Sequence, residues 1–410
     1  MKQDRLRLHA FWNSFATNVA APFVSFNVTS SGGSDLLIGY VQSIGSLASA
    51  FTQLIGGRIA DRSGKRVAMA GLSSLAAGAL WVGTTAFQAP TFLAVFFTAI
   101  TLVLGVYAAG WTAILGESSE GTEKGEFLGS FARLTSAGAL AGLVLTTAIA
   151  AVNPSYAVLY LVSGCLFVLS AIVLKGQGEQ RVQKATITSS GAAVLRRYYL
   201  ITGVYGLFWG FAWPLFTITV VKIVKMSLFE YGVSQVIALA ATVAFQPIVG
   251  RLVDKDRRKW VFWGRMGLVV YPVTYMFFGA AWEVYAINVF SGLTNSLLNI
   301  AFAAYLYDIS PTGQRGRRSA EFNLITGATT MVGSLASAYA LSVISTPGTL
   351  WASLAYLYVV AAVGRGFAAL LHLRLPYGGQ TGALEEAFYR RVPAGKPSPS
   401  GNKESQALGL

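Results

Sequence analysis

The chain has 410 residues, of which 54% are hydrophobic and only 12% are charged, and its mean hydropathy is +0.55. A soluble domain needs about a quarter of charged residues to cover its surface, so this composition excludes an ordinary soluble enzyme. The net charge of +14 is spread over many short loops instead of forming one basic face, which argues against binding to nucleic acid. We therefore expect an integral membrane protein.

Twelve apolar stretches are each long enough to cross a hydrocarbon core of about 30 Å, which takes about 20 helical residues. Their apolar residues are continuous rather than alternating, as is typical of membrane helices. We predict an all-α membrane protein with twelve transmembrane helices. The predicted spans cover residues 8–30, 37–57, 67–88, 91–115, 127–151, 155–174, 198–224, 232–250, 261–281, 284–307, 320–344 and 350–373.

The second half of the chain repeats landmarks of the first half at an almost constant offset. Asp254 follows Asp61 by 193 residues, and Pro214 follows Pro22 by 192. A shared offset predicts two pseudo-symmetric six-helix bundles. The predicted domains are a first bundle (1–174), a cytoplasmic linker (175–197), a second bundle (198–374) and a cytoplasmic tail (375–410) whose composition predicts disorder.

Basic residues predict the orientation. Of the 31 lysines and arginines, only Lys222 and Lys225 fall on the predicted outer side. Because cytoplasmic loops retain positive charge, we expect a multi-pass protein of the cell membrane with both termini in the cytoplasm. The first apolar run is long and contains asparagines, so we interpret it as the first span and not as a cleaved signal peptide.

A charged turn between the second and third spans carries the sequence's most specific motif. Its residues match the pattern G-x-x-x-D-[RK]-x-G-[RK]-[RK] and resemble the signature of the major facilitator superfamily (MFS). The resemblance implies that fold, and transport of a small organic solute by alternating access, either secondary active or facilitative, without a cofactor. The motif residues are Gly57, Asp61, Arg62, Gly64, Lys65 and Arg66. The second copy departs from the pattern, with Arg257 where Gly64 aligns.

The same resemblance implies a conformational latch on the cytoplasmic side. A carboxylate at Asp61 can accept from unpaired N–H groups at the start of a neighbouring helix, which the resemblance identifies as the eleventh. It also implies that Lys65 pairs with Glu117. By pseudo-symmetry, Asp254, Arg258 and Asp308 form the related group in the second half. The alternative interpretation is a solvated basic loop that only enforces topology.

Candidate cavity residues form helical stripes on the spans that the family architecture places around a central cavity, namely the first, fourth, seventh and tenth. Buried amides and aromatic faces suit a solute with an apolar body and a few hydrogen-bonding groups, such as a drug-like amphiphile or a sugar. Core packing uses the same spacing, so it remains the alternative. The candidates on these spans are Asn18, Tyr107, Trp111, Tyr205, Trp209, Trp213, Asn295 and Asn299, and Arg133 of the fifth span, which flanks the cavity, is a further candidate.

The positions of the charged residues do not decide whether transport is coupled to an ion. All 17 acidic residues map to loops, tails or helix ends, whereas proton-coupled carriers usually keep a carboxylate at mid-membrane. A coupling ion (H⁺ or Na⁺) and simple facilitation are both retained. Arg133, Arg265 and Arg365 enter helices from the inner side and are expected to snorkel to the interface. Of the three, Arg133 is favoured to face the cavity, where it would attract an anionic solute.

Two alternative functions stay open. A drug or amphiphile efflux antiporter is disfavoured because the fourth span lacks an arginine and the fifth lacks a Gly-Pro pair. A non-transporting receptor or scaffold with the same fold would signal through the tail. No metal-ligand cluster, nucleophile with a base or nucleotide loop appears among the spans, so we expect no enzyme, metal or cofactor. The expected partners are a small solute and the lipid bilayer, and we expect a monomer.

Overall fold

The computed structural model describes residues 3–118, 124–176, 192–255, 257–309, 315–346 and 348–375. These residues form twelve helical segments of membrane length, numbered α1 to α12, with breaks inside α1, α7 and α9. Their bounds are α1 (Gln3–Ala20, a 3₁₀ turn Ala21–Phe23 and Val24–Ser30), α2 (Asp35–Ser63), α3 (Arg66–Thr84), α4 (Pro90–Ser118), α5 (Lys124–Val152), α6 (Tyr156–Leu174), α7 (Ala192–Phe211, Trp213–Ile218 and a π-helical turn Thr219–Ile223), α8 (Leu228–Lys255), α9 (Arg257–Gly267 and Val270–Tyr275), α10 (Ala281–Asp308), α11 (Arg315–Ile344) and α12 (Leu350–Leu371).

Eight of the twelve helices are long and apolar enough, by length and composition alone, to cross a membrane when the described residues are searched. The other four are α1, α2, α9 and α10. Within α1, His9, Asn13 and Asn27 are buried inside the protein, where neighbouring helices satisfy them instead of lipid. The prediction of twelve spanning helices is confirmed.

Helix packing repeats between the two halves. In the first half α1 packs on α5 and α6, α2 packs on α4, and α3 packs on α4 and α6. Adding six to each helix number gives the contacts of the second half, in which α7 packs on α11 and α12, α8 on α10, and α9 on α10 and α12. Between the halves, α2 packs on α11 and α5 packs on α8. These two contacts are also equivalent, because a shift of six helices relates α2 to α8 and α5 to α11. The chain is thus a pair of pseudo-symmetric bundles.

Two glycines show the duplication at the level of single atoms. A Cβ added at Gly142 in α5 would lie 2.6 Å from the carbonyl oxygen of Phe15 in α1. A Cβ added at Gly333 in α11 would collide with the carbonyl oxygen of Leu207 in α7. Gly333 and Leu207 follow Gly142 and Phe15 by 191 and 192 residues, so the same close helix crossing occurs once in each bundle.

Prolines mark the breaks in three of the helices. Pro22 lies in the break of α1, Pro214 follows the break of α7 at Ala212, and Pro272 follows the break of α9. A proline supplies no N–H, so the carbonyl four residues earlier loses its helical partner. Within a membrane such freed backbone is tolerated where protein or a cavity satisfies it. Pro22 and Pro214 are the pair related by the offset of 192.

Because the number of crossings is even, the start of α1 at Gln3 and the end of α12 at Leu371 lie at one end of the molecule, which we call the terminal end. We call the opposite end, where α2 begins at Asp35 and α7 ends near Lys222, the distal end. Most of the predicted linker (175–197) and nearly all of the predicted tail (375–410) lie outside the described residues. The domain boundaries therefore stay predictions.

Candidate functional site

Three adjoining cavities, of about 550, 370 and 370 Å³, lie where the two bundles meet. Trp209 and Asn295 line both the largest cavity and the second one, whereas Gln42 and Tyr231 line the second and the third. Because they share walls, we treat the three as one central cavity. A space of this size suits a small organic molecule.

The largest part of the central cavity lies between the bundles. From the first bundle α2 contributes Ser46, Ser49 and Gln53. From the second, α11 contributes Asn323 and Thr326. Since α2 runs from the distal end towards the terminal end, Gln53 places this part of the cavity towards the terminal end of the molecule.

The next part of the cavity is built almost entirely by the second bundle. Tyr271, Tyr275 and Asn288 line it together with the tryptophans of α7, and Gln42 of α2 is the lining residue from the first bundle. The side-chain amide of Gln42 donates to the hydroxyl of Thr217 in α7. This hydrogen bond ties the first bundle to the broken segment of α7.

Arg365 of α12 is buried beside this cavity and holds the two broken helices of the second bundle. Its Nη1 donates to the carbonyl of Leu268 (2.9 Å), the acceptor that Pro272 leaves without its helical N–H. Its Nη2 and Nε donate to the carbonyls of Trp209 (2.8 Å) and Phe208 (3.2 Å), which lie in the last turn of the first segment of α7. One guanidinium therefore satisfies three carbonyls at two helix breaks.

Arg265 of α9 lies in the wall of the largest part of the cavity and is only 3% exposed. Its Cζ lies 3.8 Å from the ring centroid of Tyr205 and 3.8 Å from that of Phe302. Its Nε is buried and has no hydrogen-bond partner in the part of the chain that the structure describes. This arginine thus contacts aromatic rings and faces the cavity.

The expectation that Arg265 and Arg365 snorkel to the interface is wrong. Arg365 is 1% exposed, and both arginines line the cavity. Arg365 of α12 turns inwards because the break in α9 leaves the carbonyl of Leu268 in need of a donor. Sequence analysis missed these residues, although a proline in an apolar span (Pro272) signals a freed carbonyl that some buried donor must satisfy.

Three of the predicted cavity residues do line the cavity. Trp209, Trp213 and Asn295 lie in its wall, and the two indole rings meet edge to face with centroids 4.9 Å apart. The amide of Asn295 donates to the hydroxyl of Ser291 (2.9 Å). The side chain of Asn299, one turn further, lies outside the described residues.

The other predicted cavity residues lie elsewhere. Tyr205 is buried behind Arg265 and donates to its carbonyl (3.4 Å). Tyr107 and Trp111 pack against His9 inside the first bundle. The amide of Asn18 donates to the carbonyl of Ser14 within α1 (2.9 Å).

The remaining candidate, Arg133, is exposed on α5 and does not line the three cavities. Both histidines, in contrast, are fully buried. The Nδ1 of His9 lies 2.8 Å from the carbonyl of Ser170, and its Nε2 lies 3.2 Å from the hydroxyl of Tyr107. The imidazole is therefore held inside the first bundle, away from the central cavity.

The signature turn has a clear local structure. Helix α2 ends at Ser63, and Gly64 caps it with φ 66°, donating its N–H to the carbonyl of Ala60 (3.0 Å). This left-handed conformation explains the glycine. Arg62 and Lys65 are exposed.

The signature's other members differ in burial. Arg66 begins α3 and is only 4% exposed, so the last cation of the motif is the buried one. Gly57 has open space where a Cβ would lie. The side chains of the other predicted latch residues lie outside the described residues; they are Asp61, Glu117, Asp254, Arg258 and Asp308.

The bundles meet closely at the distal end. Lys222 in α7 and Asp35 at the start of α2 form an ion pair of 3.3 Å between the bundles. The hydroxyl of Ser334 in α11 donates to the carbonyl of Gly39 in α2 (2.8 Å).

A second contact lies beside these. The ring of Tyr231 in α8 stacks on Phe26 of α1 with centroids 4.6 Å apart. These contacts join the two bundles at the distal end.

The family model described as Major Facilitator Superfamily matches residues 8–193 and 198–402, and so covers both bundles. The chain belongs to the major facilitator superfamily. Membership makes it a multi-pass membrane transporter that moves a small solute by alternating access, and not an enzyme, as the signature turn indicated. No curated protein sequence matches the chain.

Solved structures of transporters share the fold. They include the nucleoside transporter NupG (TM-score 0.72, 9% identity, covering 92% of this chain and 99% of that one). A bacterial homologue of the human lysosomal transporter Spinster has a TM-score of 0.72 at 13% identity, covering 92% and 96% of the two chains. A D-xylose–proton symporter has a TM-score of 0.67 at 15% identity, covering 92% and 99%. At these identities the likeness extends to the fold alone.

Proposed function

We propose that the solute binds in the central cavity and that the two bundles rock about it, so that the distal and terminal ends open alternately. The observation that carries the proposal is the pairing of a central cavity, lined from both bundles, with inter-bundle contacts at the distal end. In this arrangement the Lys222–Asp35 ion pair and the α2–α11 contact form a distal gate that breaks when the cavity opens there.

The positive-inside pattern supports an orientation for these ends. With both termini in the cytoplasm of a cell-membrane protein, the distal end faces outwards, and the conformation described above is closed to the outside. The signature turn then lies on the cytoplasmic side, where Asp61 and Lys65 latch the opposite closed state together with Glu117. In this proposal the transporter acts as a monomer, and H⁺ or Na⁺ coupling and facilitation are both compatible with it.

The lining supports a binding position at the junction of the two larger cavity parts. Trp209 and Asn295 line both parts, and Trp213 meets Trp209 edge to face. An indole face packs against an apolar or ring-shaped solute, and an amide both donates and accepts hydrogen bonds. Trp209 is also held through its carbonyl by Arg365, so its position depends on the break in α7.

Crosslinking the distal gate tests the proposal. In a Cys165→Ser background, which removes the chain's single cysteine, Asp35→Cys and Lys222→Cys place one thiol on each bundle. A short, reducible bifunctional thiol reagent should abolish uptake in proteoliposomes of whichever labelled solute from a panel of nucleosides, sugars, dipeptides and organic acids the parent protein carries. Reduction should restore it.

A matched pair controls for the chemistry of the reagent. Asp4 and Arg7 form an ion pair within α1 (3.9 Å), so Asp4→Cys with Arg7→Cys can be linked without joining the bundles. This variant and each single-cysteine variant should keep their flux. Flux that persists when the distal pair is fully crosslinked would contradict the rocking motion.

A further inference from the structure

We infer that the transported solute is an organic anion whose carboxylate or phosphate group binds the guanidinium of Arg265 in the central cavity. The inference deepens the proposed function, because it names the chemical class of the solute. It relies on the surroundings of Arg265, the charge of the cavity and the character of its walls.

Arg265 has hydrogen-bond donors that the described protein does not use. Its carbonyl accepts from Tyr205, its Nε has no hydrogen-bond partner among the described residues, and none of their carboxylates forms an ion pair with it, although the side chain is almost fully buried. The rings of Tyr205 and Phe302 contact it at 3.8 Å each. Aromatic rings cover the faces of a guanidinium, whereas its N–H groups point outwards in its plane. The ring contacts therefore leave these donors for a group in the cavity.

An oxyanion fits those donors better than a neutral group does. Two oxygens of a carboxylate or phosphate can accept two parallel N–H bonds from one guanidinium, and such charge-assisted bonds are shorter and stronger than neutral ones. An arginine inside a membrane is otherwise costly and typically marks a solute or ion pathway. Thr326 lines the same part of the cavity, and its hydroxyl is also buried without a hydrogen-bond partner among the described residues.

The cavity as a whole carries positive charge. Among the described residues in the walls of its three parts, all are neutral except Arg265 and Arg365. Arg365 already donates to Phe208, Leu268 and Trp209, so its position is fixed and it adds charge to the site. Low-dielectric walls strengthen this potential, which attracts anions and repels cations.

The walls around Arg265 indicate an organic body on the anion. Trp209 and Phe302 line the same 550 Å³ part of the cavity, and Asn295 offers an amide beside them. A simple inorganic ion would leave most of this aromatic surface in contact with water. A carboxylate or phosphate attached to a ring or an apolar chain fills the space and reaches Arg265.

A set of size-matched probes tests the inference. We propose measuring the thermal unfolding of the purified full-length protein with benzoate, phenyl phosphate, benzamide, benzyltrimethylammonium and inorganic phosphate at equal concentrations and ionic strength. A ligand that binds the native state raises the unfolding temperature. Benzoate or phenyl phosphate, or both, should raise it, whereas benzamide, which has the size of benzoate without its charge, and the cation should not. Inorganic phosphate should act more weakly than phenyl phosphate.

Variants locate the binding group. Arg265→Gln should weaken the binding of the active anion by at least about tenfold, because it removes a charge-assisted hydrogen-bond donor. Arg265→Lys keeps the charge but not the two parallel donors and should lose less. Arg133→Gln, which removes an exposed arginine outside the cavity, is the matched control and should bind as the parent does.

Several outcomes would overturn the inference. Equal shifts with benzoate and benzamide, no shift with either organic anion, or anion binding that survives Arg265→Gln would each contradict it. Should Arg265→Gln not fold, the contrast between benzoate and benzamide on the parent protein still decides. If the protein transports a neutral solute and binds no anion, the inference about the anion is wrong but the proposed transport stands. If an anion binds at Arg265 but is not transported in proteoliposomes, the proposed transport through the cavity is wrong and the anion site stands.

Discussion

The two bundles share a packing plan but bury different chemistry at their centres. The first bundle holds an imidazole, that of His9, between the carbonyl of Ser170 and the hydroxyl of Tyr107. The second holds two guanidinium groups, those of Arg265 and Arg365, beside the central cavity. The imidazole of His9 is thus held by protein atoms, whereas the Nε of Arg265 has no hydrogen-bond partner among the described residues.

The offset between the halves shows where they diverged. Shifting Arg265 back by 193 residues gives Leu72, and shifting Arg365 back by 192 gives Val173. The signature turn shows the reverse, since the intact copy is in the first half and the copy with Arg257 is in the second. The packing plan is common to both halves, whereas the arginines beside the cavity are in the second bundle and the intact signature turn is in the first.

The largest loss of stability should come from removing the guanidinium of Arg365, which has no counterpart at the equivalent position of the first bundle. Arg365→Met leaves the carbonyls of Phe208, Trp209 and Leu268 without their donor. At about 1 to 3 kcal/mol for each unsatisfied buried group, we expect a loss of at least about 3 kcal/mol, seen as a lower unfolding temperature in detergent. Arg133→Met, on the exposed face of α5, should change it little.

A second substitution tests whether Arg365 stabilises the protein through the carbonyl freed at the helix break or through general packing. Pro272→Ala restores an N–H that can pair with the carbonyl of Leu268. Combined with Arg365→Met, it should recover part of the lost stability, so that the double variant is more stable than Arg365→Met alone. An additive result would mean that the arginine does not act through this carbonyl.

We expect an intermediate loss of stability, equal in the two bundles, at the equivalent helix crossings of Gly142 and Gly333. Gly142→Val and Gly333→Val each force a side chain against a backbone carbonyl of the neighbouring helix. Overpacking of this kind costs about 1 to 3 kcal/mol, and the two variants should lower the unfolding temperature by similar amounts. Gly71→Val, where a Cβ meets no atom within 4 Å, is the control. Strongly unequal losses would argue against equivalent crossings.

The smallest change in free energy is expected at the signature turn, yet it should affect flux. A carboxylate near the start of a helix stabilises the state in which the two are in contact by at most about 2 kcal/mol. Asp61→Asn should therefore destabilise the latched state and slow uptake into proteoliposomes about tenfold. The unfolding temperature should stay near that of the parent. Asp254→Asn, in the degenerate copy, should slow uptake less. Equal losses at both sites, or unchanged uptake in Asp61→Asn, would remove the latch from the mechanism.

Much of the fold followed from local patterns. Apolar runs of about 20 residues predict spans without reference to tertiary contacts, and the repeat of Pro22 at Pro214 predicts the duplication. Of the candidate cavity residues, Trp209, Trp213 and Asn295 were found because polar and aromatic stripes mark helix faces. The same stripe logic also selected Tyr107 and Trp111, which pack inside the first bundle, since packing and solute binding use the same spacing.

The amino-acid sequence by itself determined the membrane class, the twelve helices, their duplication and the family, because each depends on hydropathy, periodicity or a short motif within one stretch of chain. Only the tertiary structure decided that Arg265 and Arg365 are buried at the cavity. An arginine near a helix end gives the same sequence pattern whether its side chain snorkels to water or turns inwards. The choice depends on which acceptors and rings the other helices bring to it, and for Arg365 those are the carbonyls freed at two breaks in distant parts of the chain.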